Sequence, residues 1–235
     1  MSGSARGVEA TSEAGILPGS FLELLTPNER AELTALGVQR RFPKGALLMF
    51  EREPGDRVMI QLVGRVKVTR VEQDGHEVLL GIRDPGDVLG ELSCVDGQPR
   101  ISSVTALEPV EALVVPTSAF RAYLERAPRV AVVLLEVLIG RFRETTLKRT
   151  QFAATDTIGR LAARLVELAD RYGMPREKGI EIDLGLSQEE LASWTGASRA
   201  GTAKALQTLR ELGWIATDRR RIVIEQLDQL RRRAA

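Results

Sequence analysis

The sequence predicts an α+β chain: an N-terminal β-roll, a long central helix and a C-terminal winged helix-turn-helix. Three observations carry this reading. Gly45, Gly55, Gly64, Gly75 and Gly86 recur about every ten residues between short β-type runs. An apolar seam at helical spacing follows them. Residues 187–211 then read as two short helices around a tight turn at Gly196, with a strand–turn–strand behind them. The boundaries that result are a disordered tail at 1–16, the roll at 17–117, the central helix at 118–153 and the winged unit at 154–235.

Taken in order, the tail is small and polar and lacks the apolar core of a signal peptide. Residues 27–36 carry a helical pattern. The β-type runs lie at 46–50, 58–62, 66–71 and 78–82. Glu53-Pro54-Gly55-Asp56 and Asp84-Pro85-Gly86-Asp87 are turns with a mechanism, because proline fixes φ and glycine accepts positive φ.

Composition removes several function classes. At 235 residues the chain has room for two compact domains, and 43% apolar content supplies their cores. Aromatics are 4%, which argues against base stacking on aromatic platforms. The net charge of +1 argues against a bulk polyanion coat, so basic residues must act locally. One cysteine, Cys94, and one histidine, His76, leave no intrachain disulfide and no ligand set for a metal site. His76 sits in Asp74-Gly75-His76-Glu77, a hairpin-turn sequence, and no convergent acid–base set accompanies it, so the chain reads as non-enzymatic. The longest apolar run, 130–139, is half a bilayer span and contains Glu136. The expected location is the cytoplasm, with no membrane partner.

Residues 90–103 form a candidate anion site. A helix starting near Glu91 offers free backbone N–H groups. Arg100 can clamp a phosphate bidentately, and Glu91 can accept from a sugar hydroxyl. The same two residues would equally serve as an ordinary Glu–Arg pair holding a loop.

The helix-turn-helix has clear local physics. Ser187 can cap the first helix, with Glu190 completing a capping box. Leu191 and Trp194 give it an apolar face, and Ser198 is the N-cap of the second helix. Ala203, Leu206 and Leu209 make that helix's buried stripe, leaving Arg199, Thr202 and Lys204 to point outward toward DNA. Arg219, Arg220 and Arg221 form a basic turn between 212–215 and 222–224, a wing tip suited to phosphates. Two helices around a glycine also occur in proteins without a DNA partner; the arginine-tipped wing favours DNA.

The order of these parts resembles the catabolite-activator (CRP/FNR) family of bacterial transcription regulators, over roughly residues 18–227. The resemblance rests on the glycine-spaced roll, the Gly90-Glu91-Leu92…Arg100 cassette, the central helix and the winged motif. It implies cyclic AMP in the roll, with Glu91 at the ribose 2′-hydroxyl and Arg100 at the cyclic phosphate. Main-chain groups around Gly90, Leu92 and Ile101 would assist. Counting back from Asp156-Thr157-Ile158-Gly159-Arg160, the family's hinge, places Thr145 and Thr146 at the adenine. It also implies a homodimer, a pseudo-palindromic double-stranded DNA site and contact with RNA polymerase, for which the loop at 173–179 is the candidate surface.

Two departures stand out. Ile101 replaces a family Ser or Thr, removing a hydroxyl worth about 1.5–3 kcal/mol to a charged partner; Ser102 is the neighbouring hydroxyl that can compensate. Ala200 replaces a base-reading glutamate, and Gly201 within the helix costs about 1 kcal/mol. The family's DNA consensus therefore does not transfer.

Ala131, Leu135, Leu138, Phe142 and Thr145 follow 4,3,4,3 spacing, a coiled-coil seam for a parallel homodimer. Val132, Val133 and Ile139 remain for packing on the chain's own roll. A seam ending at Thr145 puts ligand and dimer interface in contact. Three alternatives stay open: the same regulator without cyclic AMP, a barrel enzyme, and a nucleotide-binding module that binds protein.

Overall fold

A computed structural model describes residues 16–72, 75–218 and 220–234, with 148–154 described in backbone only. The expected tail lies outside the described residues, save Ile16, which packs against the core that holds Phe21.

Two helices open the described chain, α1 (Phe21–Leu24) and α2 (Pro27–Ala35). Helix α2 starts at Pro27 because Thr26 and Glu29 form a capping box. The Glu29 amide donates to Thr26 Oγ1 at 3.3 Å, and the Thr26 amide donates to the Glu29 carboxylate at 2.8 Å. The roll follows with β1 (Val38–Phe42), β2 (Leu47–Met49), β3 (Arg57–Val63), β4 (Val66–Val71), β5 (Glu77–Arg83) and β6 (Val88–Leu89). Helix α3 (Glu91–Asp96) interrupts it before β7 (Ser103–Ala106) and β8 (Val110–Pro116). The strands form two antiparallel sheets, ordered β1-β8-β3-β6 and β2-β7-β4-β5. Leu48, Met59, Val66, Val104 and Ala112 fill the space between them. Strand β5 is bulged: Val68 pairs with Gly81 and Thr69 with Leu79, so Leu80 has no partner opposite.

The central helix is two helices, α4 (Thr117–Arg126) and α5 (Pro128–Ala154), not one piece from 118. Pro128 has no N–H and keeps the residue before it out of helical conformation. Ala127 accordingly sits at φ −119°, ψ 74°. Phe120, Tyr123, Val130, Val133 and Leu134 pack these helices against the first sheet and α1.

The C-terminal unit comprises α6 (Thr157–Tyr172), β9 (Met174–Arg176), β10 (Gly179–Ile182), α7 (Gln188–Thr195), α8 (Arg199–Glu211), β11 (Ile215–Asp218), β12 (Arg221–Ile224) and α9 (Leu227–Ala234). The segment at 173–179 is a hairpin rather than a plain loop. Strand β10 pairs with β12, which extends the wing to four strands, β11-β12-β10-β9. Helix α6 is capped by Asp156, whose carboxylate accepts from the Gly159 amide at 2.8 Å.

The two units are docked. Leu79 and Ile82 of β5 join the C-terminal core of Leu161, Leu165, Leu191 and Leu206. Lys67 pairs with Glu190 at 2.6 Å. The Leu79 amide donates to Ser193 Oγ at 3.1 Å. Asp84 accepts from Arg171 at 2.5 Å and from the Tyr172 hydroxyl at 2.9 Å. Among the described residues no helix is long and apolar enough to cross a membrane.

Candidate functional site

The cassette is built around a glycine that nothing can replace. Gly90 caps α3 at φ 78°, ψ 13°, a left-handed conformation. A Cβ there would stand 2.2 Å from Arg100 Nη1. That space lets Arg100 lie buried beneath the helix end, donating to Gly90 O at 3.0 Å and to Arg57 O at 2.5 Å. Asp56 stands 3.5 Å away. Burial, and then the nearby Arg57 cation, lower the Arg100 pKa from its usual value. The result is a preorganised cation beside the free N–H groups of α3.

Glu91 is buried, and it is not paired with Arg100. Its carboxylate accepts from Arg141 of α5 at 3.0 Å; Arg141 also holds Asp87 at 2.9 Å and the Val88 carbonyl at 3.2 Å. The ordinary Glu–Arg loop pair of the sequence alternative is therefore absent, and each cassette residue has a separate anchor. Arg141 was missed in the sequence. Its signal was present: it lies four residues before Thr145, on the same helical face, and Thr145 Oγ1 donates to its carbonyl at 2.9 Å.

A cavity of about 440 Å³ lies between the roll and α5. Gly90, Glu91, Leu92, Arg100, Ile101 and Ser102 line it from one side, and Leu138, Arg141, Phe142 and Thr145 from the other. Thr146 is not on this wall. Adjacent helical residues point about 100° apart, and its hydroxyl donates back to the Phe142 carbonyl. Ile101 is half exposed. Ser103, next after Ser102, is buried with its hydroxyl accepting from the Glu51 amide; Ser93 and Ser102 are the cassette hydroxyls that line the cavity.

The helix-turn-helix forms as its caps dictate. Ser187 Oγ accepts from the Glu190 amide at 3.1 Å, and Glu190 accepts from the Ser187 amide at 2.6 Å. Gly196 turns the chain at φ 62°. Ser198 Oγ accepts from the Gly201 amide at 3.1 Å. Arg199 and Lys204 are exposed on α8, in line with Ala200, Ala203 and Gln207.

Three expectations for this interface are corrected. Thr202 is fully buried and does not face outward. The stripe turned to the core is Thr202, Ala205, Leu206 and Leu209, and Ala203 lies outside it. The reason is register: residues 202, 205, 206 and 209 fall on one face of α8, the helix that packs on α6 and α7. Ser187 does not offer its helix end to an anion, because the first turn of α7 carries Glu189 and Glu190, and Lys67 of the roll sits on Glu190. In the wing, Arg221 is paired with Asp183 at 3.0 Å. Arg220 is exposed at the turn with φ 62°. Arg219 lies outside the described residues.

The α5 seam is also shifted. Leu135, Phe142 and Thr145 are exposed, as the heptad reading expects, with Phe142 at 71%. Ala131 and Leu138 are partly buried, and Leu138 packs on the chain's own core. Val132 and Ile139 are exposed in their place, at 53% and 41%. The free apolar stripe is thus Val132, Leu135, Ile139 and Phe142, at 3,4,3 spacing. Both registers share the same periodicity; the choice depends on which side chains the roll consumes.

Comparisons with known proteins match both units of the chain. A cyclic nucleotide-binding domain model matches residues 39–127, and a Crp-like helix-turn-helix domain model matches 159–233. The chain is 37% identical over 226 residues to the CRP-like cAMP-activated global transcriptional regulator of Mycobacterium tuberculosis, covering 96% of this chain and 99% of that one. It is 32% identical over 186 residues to the global nitrogen regulator of Synechococcus elongatus, covering 78% and 84%. In fold it is similar to the c-di-GMP-responsive global regulator CLP of Xanthomonas campestris, at TM-score 0.77 and 21% identity over 85% of this chain and 99% of that one. A CRP/FNR-family regulator of Thermus thermophilus superposes at TM-score 0.72 and 24% identity, over 84% and 98%. With a cyclic nucleotide-binding domain in front, a Crp-like helix-turn-helix behind and no enzymatic role, the chain belongs to the CRP/FNR family of transcriptional regulators.

Proposed function

We propose that the chain is a homodimeric, sequence-specific DNA-binding regulator controlled by cyclic AMP held in the roll. The observation that carries this reading is the cavity walled by the 90–102 cassette and by Thr145 of α5. The cyclic phosphate belongs at Arg100 and the N–H groups of α3, the ribose at Glu91, and the adenine at Thr145. The M. tuberculosis relative, cAMP-activated by name, supports the choice of nucleotide.

The output follows from the same parts. Arg199 and Lys204 meet base edges and phosphates in the major groove, and Arg219 and Arg220 meet phosphates at the wing tip. The exposed α5 stripe pairs with that of a second copy. Cyclic AMP shifts the population toward an arrangement that sets the two α8 helices about 34 Å apart, on a pseudo-palindromic duplex. Strand β5 is suited to relay this shift. Leu80 lines the cavity, while Leu79 and Ile82 sit in the core of the DNA-binding unit. Contact with RNA polymerase through the β9–β10 hairpin completes the reading, with the cytoplasm as its location.

One observation favours a second reading. Ile101 deprives the phosphate site of a hydroxyl, which suits a regulator of the same type that answers to another effector. Fluorescence anisotropy with selected operator DNA, with and without cyclic AMP, separates the two. The first reading expects tighter operator binding with the nucleotide and steep weakening by salt, each neutralised phosphate adding about 0.9 to the log–log slope. Operator affinity indifferent to cyclic AMP would favour the second, and no salt-dependent DNA binding would overturn both.

A further inference from the structure

We propose that Arg83 reads the base of the bound nucleotide and opens the cavity to guanine, so that the site takes cyclic GMP as well as cyclic AMP. The inference rests on the cyclic-nucleotide reading above and adds the chemistry at the base end.

Arg83 ends β5, and its side chain folds back along the strand. Its Nη1 lies 2.9 Å from where a Cβ on Gly81 would stand, so the missing side chain of Gly81 is the space that receives the guanidinium. Arg83, Arg141 and Thr145 line both the nucleotide cavity and a smaller cleft toward α6. Gly90, Arg100 and Ile101 line the cavity and not that cleft. Arg83 therefore marks the Thr145 end of the cavity, away from the phosphate cation Arg100.

The other two arginines on this wall are already engaged. Arg100 is tied to the Gly90 and Arg57 carbonyls, and Arg141 to Glu91 and Asp87. Among the described residues, the one hydrogen bond of the Arg83 side chain goes to the Ile82 carbonyl at 3.0 Å. Burial lowers its pKa, and repulsion from Arg141 adds to that effect. It is a desolvated fork of donors, on which the Asp87, Glu91 and Glu144 carboxylates act through their charge. Arginine donates only. The outer edge of adenine sets an amino donor beside N7, whereas guanine presents O6 and N7, both acceptors, at the spacing a guanidinium matches bidentately. Arg83 is thus complementary to guanine and gains little from adenine.

The test is competition titration of the full-length protein with cyclic AMP, cyclic GMP and cyclic inosine monophosphate. The inosine nucleotide carries O6 and N7 without the guanine 2-amino group. Arg83→Leu should lower cyclic GMP affinity at least tenfold more than cyclic AMP affinity. Arg83→Lys, which keeps the charge and loses the fork, should move the ratio the same way. In the wild-type protein, cyclic inosine monophosphate should bind within threefold of cyclic GMP, a comparison that needs no variant. A cyclic AMP to cyclic GMP ratio unchanged in Arg83→Leu would overturn the role of Arg83 and leave the cyclic-nucleotide reading standing. So would an inosine nucleotide bound tenfold more weakly than cyclic GMP. Failure of the wild-type protein to bind any of the three would remove both.

Discussion

Glu91 of α3 and Arg141 of α5 form an ion pair at 3.0 Å, and both lie on the wall of the nucleotide cavity. The carboxylate suited to a ribose hydroxyl is therefore tied to the helix that carries the exposed apolar stripe. A ligand that draws on Glu91 acts on a side chain already bonded to α5. This is a direct route from the cavity to the exposed stripe of α5.

Arg100→Ala should reduce cyclic AMP affinity at least a hundredfold, read by calorimetry. The folded state should persist with a lowered Tm, because the Gly90 and Arg57 carbonyls lose their donor at about 1–3 kcal/mol for the buried group. Unchanged affinity in a folded variant would remove the cassette from the account.

Arg199→Ala should relax sequence preference if, as proposed, the exposed start of α8 reads bases. Arg220→Ala should weaken all duplexes by a similar factor and reduce the salt slope by about 1. Binding to an operator and to scrambled DNA over a salt series distinguishes the two. Full discrimination in Arg199→Ala would place base reading elsewhere.

Ile139→Asp and Phe142→Asp should each give monomers by sedimentation, because each sets a charge on the free stripe. Ala131→Ser should leave the dimer intact, since Ala131 is partly covered by its own unit. Dimers that survive both aspartates would move the interface off α5.

The docking of the two units should depend on acid through Glu190. Burial pushes its carboxyl up, but Lys67 and the Ser187 amide outweigh that and hold it below the usual 4.5. A lowered carboxylate contributes stability above its unfolded pKa and loses it as pH falls through the folded value. Asp84 has the opposite sign: burial raises it above 3.8 despite Arg171, so its ionisation opposes docking as pH rises. Lys67→Met should therefore weaken docking at neutral pH and flatten the loss of stability below about pH 4.5. Hydrogen exchange at the Leu79 amide, which bonds across the junction to Ser193, reads this. Identical acid limbs in the two proteins would sink the assignment.

Much of the fold was legible because local chemistry set it. Pro85-Gly86 and the β-type runs marked the roll. Ser187, Gly196 and Ser198 marked the helix-turn-helix, since capping and left-handed turns are decided within a few residues. Residues 118–153 misled because their apolar period continues across Pro128. The α5 seam slipped because 131/135/138/142 and 132/135/139/142 are equally periodic, and only the roll's own packing chooses between them. Thr202 misled because a hydroxyl reads as surface until its neighbours are known. The partners of Glu91 and Ser187, Arg141 and Lys67 by way of Glu190, come from other elements, and no spacing in the sequence states them.

The central claim is that the 90–102 cassette and α5 together hold a cyclic nucleotide. Calorimetric titration of the purified protein with cyclic AMP tests it most directly. The account expects saturable binding at micromolar or tighter affinity, one nucleotide per chain, lost in Arg100→Ala. A flat titration for the wild-type protein would contradict it, and would leave a DNA-binding regulator of this family governed by a different signal.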